Sequence, residues 1–343
     1  MDSKWNLAEA VNKMLRTSRT PSAWGTLGTI KPNQSFNAER DIDDLMEALK
    51  TKDIDEIRIV DILTNRSNEQ RQQILKTFRS FTNQDLVKLL STALSGNLEK
   101  LILGLMKTPA QFDAHEVKAA LKGLGTNEDV LNEILITRSN KQLEDMATVY
   151  KQEFNNDLEK DIGADTTGDY KELLLMLAKG KREEYKEVIN YMLIDEDAQE
   201  MHEAITNNKK PDLKKWIAIL TEYSLDHLQR VFDRYKHYSS IDIEDAINKH
   251  MNGDAQKAML ALVSNIRNTP LYFADKLHNA LKSKGTDDKT LIRILISRCE
   301  NDLLSIRNEF RKKYGKSLYS TIQNETKGSY QAALLALCRA EDL

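Results

Sequence analysis

The sequence predicts an all-α protein made of four copies of one helical unit. Three observations predict it: a segment that recurs four times, apolar residues at helical spacing within a copy, and a shortage of proline. Only 5 prolines occur in 343 residues. Long helices suit that shortage, because proline removes a backbone donor and breaks the helical ladder. A chain of this length also exceeds one ordinary core, so several small packed units are expected.

The recurrent segment reads ILTNRSNEQR at 62 to 71, ILITRSNKQL at 134 to 143, ILTEYSLDHL at 219 to 228 and ILISRCENDL at 294 to 303. Taking Arg66, Arg138, Tyr223 and Arg298 as markers, the copies are 72, 85 and 75 residues apart. A second marker, the glycine at Gly96, Gly168, Gly253 and Gly328, gives the same three spacings. Each copy therefore has a fixed interior, and length varies only between copies. The predicted organisation is an amino-terminal arm at 1–35, repeat 1 at 36–107 and repeat 2 at 108–180. A connector with repeat 3 follows at 181–268, then repeat 4 at 269–343. The extra length near 181 to 196 suggests two halves joined by a longer connector.

Inside the second copy, Leu131, Ile134 and Leu135 share one helical face, as do Leu143, Met146, Ala147 and Tyr150, then Leu173, Met176 and Leu177. Three or more amphipathic helices per copy follow. Ser67 with Gln70, Ser139 with Gln142 and Thr166 with Asp169 have the spacing of capping boxes. Pro109 and Pro270 stand in matching TPAQF and TPLYF segments between copies. The acidic run Asp41 to Asp44 lacks the glycine and terminal glutamate of an EF-hand loop and reads as a helix start.

Charge and composition exclude several functions. The net charge is -3, from 50 Lys and Arg against 53 Asp and Glu, with no polybasic block. Neither nucleic acid nor an acidic bilayer is attracted by global charge, so no nucleic-acid partner is expected and contact with an acidic membrane needs a cationic mediator. No 18-residue apolar window and no signal-peptide core are present, and Cys299 and Cys338 are the only cysteines. A reducing cytoplasm is expected. Asn33, Asn65 and Asn324 match the glycosylation pattern by chance on that reading. The chain contains no HExxH, GxSxG or Walker loop, so an enzyme is not expected.

The residues that point to chemistry lie in copies two and four. Leu121-Lys122-Gly123-Leu124-Gly125-Thr126 is followed by Asp165, 44 residues after Leu121. Leu281-Lys282-Ser283-Lys284-Gly285-Thr286 is followed by Glu325 at the same 44-residue distance. Glycine permits left-handed backbone that exposes carbonyl oxygens, and Thr126 and Thr286 are placed to cap the next helix. Carbonyl oxygens with one carboxylate are ligands that calcium accepts, out of about 6 to 8 oxygens in its shell. With only three or four from the protein, water or lipid phosphate must supply the others. Either segment alone also reads as a glycine helix stop before a threonine cap, with the acid solvated. The identical loop-to-acid spacing in two copies favours the metal reading.

KGLGT with the later DTTGD, the four IL-x-x-R units, and the TPLYFADKLH and KSLYSTIQNETKG segments resemble the annexin family across residues 36 to 343. The resemblance implies five helices per repeat, a curved disc with calcium loops on its convex face, and calcium-dependent binding to acidic phospholipid. It implies metal ligation by the carbonyls of Leu121, Gly123 and Gly125 with Asp165, and by those of Leu281, Ser283 and Gly285 with Glu325. Lys122, Lys282 and Lys284 would then stand ready for lipid phosphate.

Two repeats depart from this pattern. Copy one has Ala93 at the acid position, so the main site is absent there. Lesser sites of the family type would use Asp53 and Ile54 carbonyls with Glu56, or Ser91 and Leu94 carbonyls with Glu99. Copy three has Lys210, Pro211 and His250, a set that does not suit calcium. Ser283 in place of glycine burdens copy four with a Cβ. In the arm, Trp5, Ala8, Val11 and Leu15 share one helical stripe. The resemblance implies a small EF-hand dimer as partner for residues 3 to 16. A different class is also open: a calcium-independent helical scaffold for protein partners.

Overall fold

A computed structural model describes residues 27–50, 54–122, 125–185, 188–206, 211–282 and 285–340. Among these residues the secondary structure is 20 α-helices and no strand, five helices per repeat. Repeat 1 contains α1 (Ala38–Lys50), α2 (Glu56–Thr64), α3 (Asn68–Thr82), α4 (Leu86–Ala93) and α5 (Gly96–Leu105). Repeat 2 contains α6 (Pro109–Leu121), α7 (Glu128–Thr137), α8 (Asn140–Phe154), α9 (Leu158–Asp165) and α10 (Gly168–Ala178). Repeat 3 contains α11 (Tyr191–Thr206), α12 (Leu213–Glu222), α13 (Leu225–Tyr235), α14 (Ile243–His250) and α15 (Gly253–Arg267). Repeat 4 contains α16 (Thr269–Lys282), α17 (Asp288–Arg298), α18 (Leu303–Tyr314), α19 (Leu318–Glu325) and α20 (Gly328–Cys338). The predicted arm helix lies outside the described residues.

Two of the three predicted capping boxes form and the third does not. Ser67 and Ser139 form the predicted capping boxes with Gln70 and Gln142. Thr108 forms another with Gln111, ahead of Pro109 at the helix start. Thr166 does not cap α10. It follows the last residue of α9, and its hydroxyl donates back to Ile162 O at 2.6 Å. The four marker glycines open the fifth helix of each repeat at φ between +61° and +67°, in the left-handed region that favours glycine.

The repeated arginine is a structural anchor. Arg66 holds buried Asp41 through two bonds of 2.6 and 2.7 Å, and Arg138 holds buried Asp113 at 2.7 and 2.8 Å. Each pair joins the first helix of the repeat to the end of the second. Bidentate guanidinium geometry suits the task, because a buried carboxylate without a partner would cost several kcal/mol. Repeat 3 has Tyr223 at this position, and Asp197 pairs instead with His227 Nε2 at 2.6 Å. In repeat 4, Arg298 turns to Asp302 on its own side of the turn and lies over the ring of Phe273.

The apolar residues divide into two clusters, and the division is not the one the connector length suggests. Repeats 2 and 3 share one core, which includes Leu131, Tyr150, Trp216 and Met259. Repeats 1 and 4 share the other, with Leu45, Phe78, Phe273 and Leu334. The connector is bound to the first of these. Arg182 N–H donates to Asn140 Oδ1 at 3.1 Å, and Glu183 N–H to Glu222 O at 2.6 Å. The segment before α1 is bound to the second. Ile30 N–H donates to Cys299 O at 2.9 Å, and Thr29 Oγ1 to Leu337 O at 2.6 Å. Gly28 lies so close to Cys299 and Glu300 that a Cβ would stand 2.5 Å from Cys299 O. Burial pushes the Cys299 thiol up to about 12, which keeps it protonated.

Between the two cores runs a charged tie. Glu133 on α7 is 0% exposed and Arg293 on α17 is 2% exposed. Two bonds of 2.9 and 2.8 Å join them. Lys276 Nζ on α16 lies 3.3 Å from the same carboxylate and 2.8 Å from Asp129. Burial alone would raise the Glu133 carboxyl, but Arg293 and Lys276 outweigh it and hold it at about 2.

Candidate metal loops

In repeat 2 the candidate loop begins where α6 ends. Leu121 is the last helical residue and Lys122 follows it in extended backbone, exposed to solvent. Gly125 takes φ +113°, which a side chain would resist. Asn127 N–H then donates to Ala120 O at 2.9 Å and closes the loop. Asn127 also caps α7, its side chain accepting from Val130 N–H at 3.2 Å. Repeat 4 is built alike. Leu281 and Lys282 end α16, and Gly285 takes φ +87°. Asp287 N–H donates to Ala280 O at 2.9 Å, and Asp287 caps α17. Gly123, Ser283 and Lys284 lie outside the described residues.

The threonines do something other than the predicted capping. Thr126 Oγ1 donates across the fold to Asp165 O at 3.2 Å, and Thr286 Oγ1 to Glu325 O at 3.5 Å. The capping role belongs to the next residue, Asn127 or Asp287. Each threonine therefore stitches the glycine loop to the residue whose carboxylate the sequence singles out, 39 positions later. The structure brings Leu121, Gly125 and Asp165 into one region through this bond, and Leu281, Gly285 and Glu325 into another.

Asp165 and Glu325 are the last residues of α9 and α19. Both are exposed, and among the described residues neither carboxylate takes part in an ion pair or side-chain hydrogen bond. A carboxylate at a helix carboxyl end adds negative charge to the negative pole of the helix, which is unfavourable without a cation. No group of three His, Cys, Asp or Glu suited to a metal occurs among the described residues. A metal here must therefore be held mainly by carbonyl oxygens and one carboxylate per site. That donor set suits a hard, loosely coordinated cation such as calcium and suits zinc poorly.

Repeats 1 and 3 carry the same architecture with different chemistry. The last residue of α4 is Ala93 and that of α14 is His250, so both lack the carboxylate. In repeat 1, Asp55 N–H reaches Ala48 O at 3.1 Å, while the Asp55 side chain caps Arg58 N–H at 3.0 Å. Ile54 O accepts from Glu56 N–H at 3.0 Å. Asp53 lies outside the described residues. The second minor set is brought together: Ser91 Oγ donates to Glu99 Oε1 at 2.8 Å, and Leu94 follows α4 in extended backbone. In repeat 3 the closing bond runs from Asp212 N–H to Ala204 O, an eight-residue span against seven in the other repeats. Its loop is one residue longer, and Pro211 ends it. A cleft of about 560 Å³ between repeats 2 and 3 has Asp165 on one wall and His250 and Pro211 on the other.

The sequence profile of the annexin family matches residues 40–105, 112–177, 196–262 and 272–337, one segment in each repeat. This chain is an annexin. Among curated relatives, Annexin A9 of Homo sapiens is 46% identical over 338 residues, covering 98% of this chain and 97% of that protein. Among solved structures, annexin III matches with a TM-score of 0.91 at 40% identity, covering 94% of this annexin and 100% of that chain. Chicken annexin V in complex with Zn2+ matches with a TM-score of 0.86 at 42% identity, covering 92% and 99%. Annexins are non-enzymatic proteins that in general bind calcium and phospholipid. Peripheral association with membranes is typical of them. Among the described residues of this annexin no helix is long and apolar enough to cross a membrane.

Proposed function

We propose that this annexin attaches to acidic phospholipid through two calcium loops, those of repeats 2 and 4. In repeat 2 the ligands are the carbonyls of Leu121, Gly123 and Gly125 with the Asp165 carboxylate. In repeat 4 they are the carbonyls of Leu281, Ser283 and Gly285 with Glu325. Lipid phosphate completes each metal shell, and Lys122, Lys282 and Lys284 contact phosphate oxygens beside it. The observation that carries the reading is the threonine stitch, which couples a positive-φ glycine loop to a carboxylate that has no ion-pair partner among the described residues in these two repeats. Two calcium ions bring four positive charges to a chain at -3, which provides the cationic mediator that its own charge lacks. The protein is then cytoplasmic and joins membranes when calcium rises. A weaker third cation position, Ser91 and Leu94 carbonyls with Glu99, completes the set in repeat 1, with Asp53, Ile54 and Glu56 as the lesser option there.

A second reading is favoured by a specific feature. Two repeats lack the carboxylate, and Tyr185, Val188, Tyr191 and Met192 are exposed around the connector. That surface suits a calcium-independent scaffold for protein partners, to which a small EF-hand dimer on residues 3 to 16 would add. Sedimentation with phosphatidylserine vesicles separates the two. Recovery in the pellet with calcium but not with chelator supports calcium-dependent attachment, and equal recovery in both tubes refutes it.

A further inference from the structure

Each repeat contains a second loop, between its fourth and fifth helices, and in repeats 3 and 4 carbonyls at the end of the fourth helix accept from a side chain on the fifth. In every repeat the corresponding side chain stands eight residues after a residue near the end of the fourth helix: Glu99 after Ser91, Lys171 after Gly163, Gln256 after Asn248, and Gln331 after Gln323. In repeat 4, Gln331 Nε2 donates to Gln323 O at 2.7 Å and also to Thr326 O. Two carbonyl acceptors fix which end of the amide faces the loop. In repeat 3, Gln256 Nε2 reaches Asn248 O at 3.4 Å and Asn248 Oδ1 at 3.2 Å. In repeat 2 the end of the Lys171 side chain covers Gly163, where a Cβ would stand 3.5 Å from Nζ. Repeat 1 alone reverses the polarity: Glu99 offers a carboxylate, and it accepts from the Ser91 hydroxyl at 2.8 Å.

Carbonyls in the last turn of a helix have no intrahelical donor and gather the negative pole of the helix dipole. They need a hydrogen-bond donor or a cation. We propose that this one position selects which it is. Glutamine puts an N–H of the protein itself where a cation would sit, and Lys171 sets its ammonium beside the same turn, so the loops of repeats 2, 3 and 4 are closed from within. Glutamate leaves the carbonyls to a hard cation and adds a carboxylate to its shell, so only repeat 1 admits one there. The inference rests on the reading of Ser91, Leu94 and Glu99 given above and extends it to the three repeats in which no such site was expected. It also predicts that the selector is transferable, because the acceptors are backbone atoms common to all four repeats.

The test counts calcium ions bound per chain on phosphatidylserine vesicles, using radioactive calcium and the full-length protein. Gln331→Glu is expected to bind one more ion than the wild type. Gln331→Leu removes the internal donor without adding a carboxylate and is expected to match the wild type. Glu99→Gln is expected to bind one fewer. Circular dichroism in chelator checks that each variant keeps its helices, which is expected because both positions are only partly buried. A wild-type count retained by either Gln331→Glu or Glu99→Gln overturns the selector while leaving the Asp165 and Glu325 loops in place. A wild type that takes up no calcium overturns the underlying reading as well.

Discussion

Replacing Glu133 by glutamine tests how the two cores are held together. The change keeps the size of the side chain and removes its charge, leaving the Arg293 guanidinium buried. The glutamine carbonyl oxygen can still accept one guanidinium N–H, and Arg293 keeps Glu116 at 3.8 Å and the Thr290 hydroxyl at 3.3 Å. Breaking one partner of a buried pair costs about 3 to 5 kcal/mol. With those residual contacts the lower end is expected, about 3 kcal/mol. At ~2 to 4 °C per kcal/mol for chains of 150 to 250 residues, and less for a longer chain, the melting temperature should fall by at most roughly 6 to 12 °C. Differential scanning calorimetry in chelator measures it. The double variant Glu133→Leu with Arg293→Met removes both charges and should recover most of the loss, because apolar replacement of a whole buried pair is often neutral or stabilising. A fall under about 1 kcal/mol for the single variant would refute the tie. The same carboxyl fixes a pH dependence. Its folded value of about 2 lies below the ordinary 4.5, so the unfolded state binds the proton more readily. Its stabilisation is full above pH 4.5 and is lost as pH falls from there toward 2. Glu133→Gln should flatten the melting curve against pH in that window.

Other perturbations address the loops. Asp165→Ala should raise the calcium needed for half-maximal vesicle sedimentation at least ~10-fold, the scale on which even outer partners of metal ligands act. Asp55→Ala, which removes only a helix cap, should leave that calcium requirement nearly unchanged and cost about 1 kcal/mol of stability in a denaturant melt. Gly125→Ala should weaken calcium-dependent sedimentation and also cost about 1 kcal/mol or more of stability in a denaturant melt. A Cβ there meets nothing within 4 Å, but φ +113° resists it.

The repeats and the helical class were legible because they are written in local periodicity and in fixed spacing. The carboxylate positions were legible for the same reason: Ala93, Asp165, His250 and Glu325 stand at one offset from their marker glycines and end the same helix in each repeat. The role of Thr126 was missed because an adjacent Asn127 competes for the cap, and nothing local says that a hydroxyl will reach a carbonyl 39 residues away. The anchoring of Asp41 by Arg66 and of Asp113 by Arg138 had a signal, a shared separation of 25 residues, that repeat comparison alone does not interpret. The pairing of repeats 2 with 3 and 1 with 4 had none. Every repeat presents similar apolar faces, and which faces meet is settled by packing across the whole chain.

That pairing gives the two cores different histories during synthesis. Repeats 2 and 3 are consecutive, so their shared core can close as soon as Ile266 is available. Repeat 1 emerges first yet packs against Phe273, Leu295 and Leu334, which come last. About 230 residues separate Leu105 from Leu337. At ~5 to 20 residues per second, repeat 1 waits roughly 10 to 50 s with an apolar face uncovered. The amino-terminal repeat is thus the part of this annexin with the longest exposure to chaperones, and a truncation that removes repeat 4 strands it without a partner.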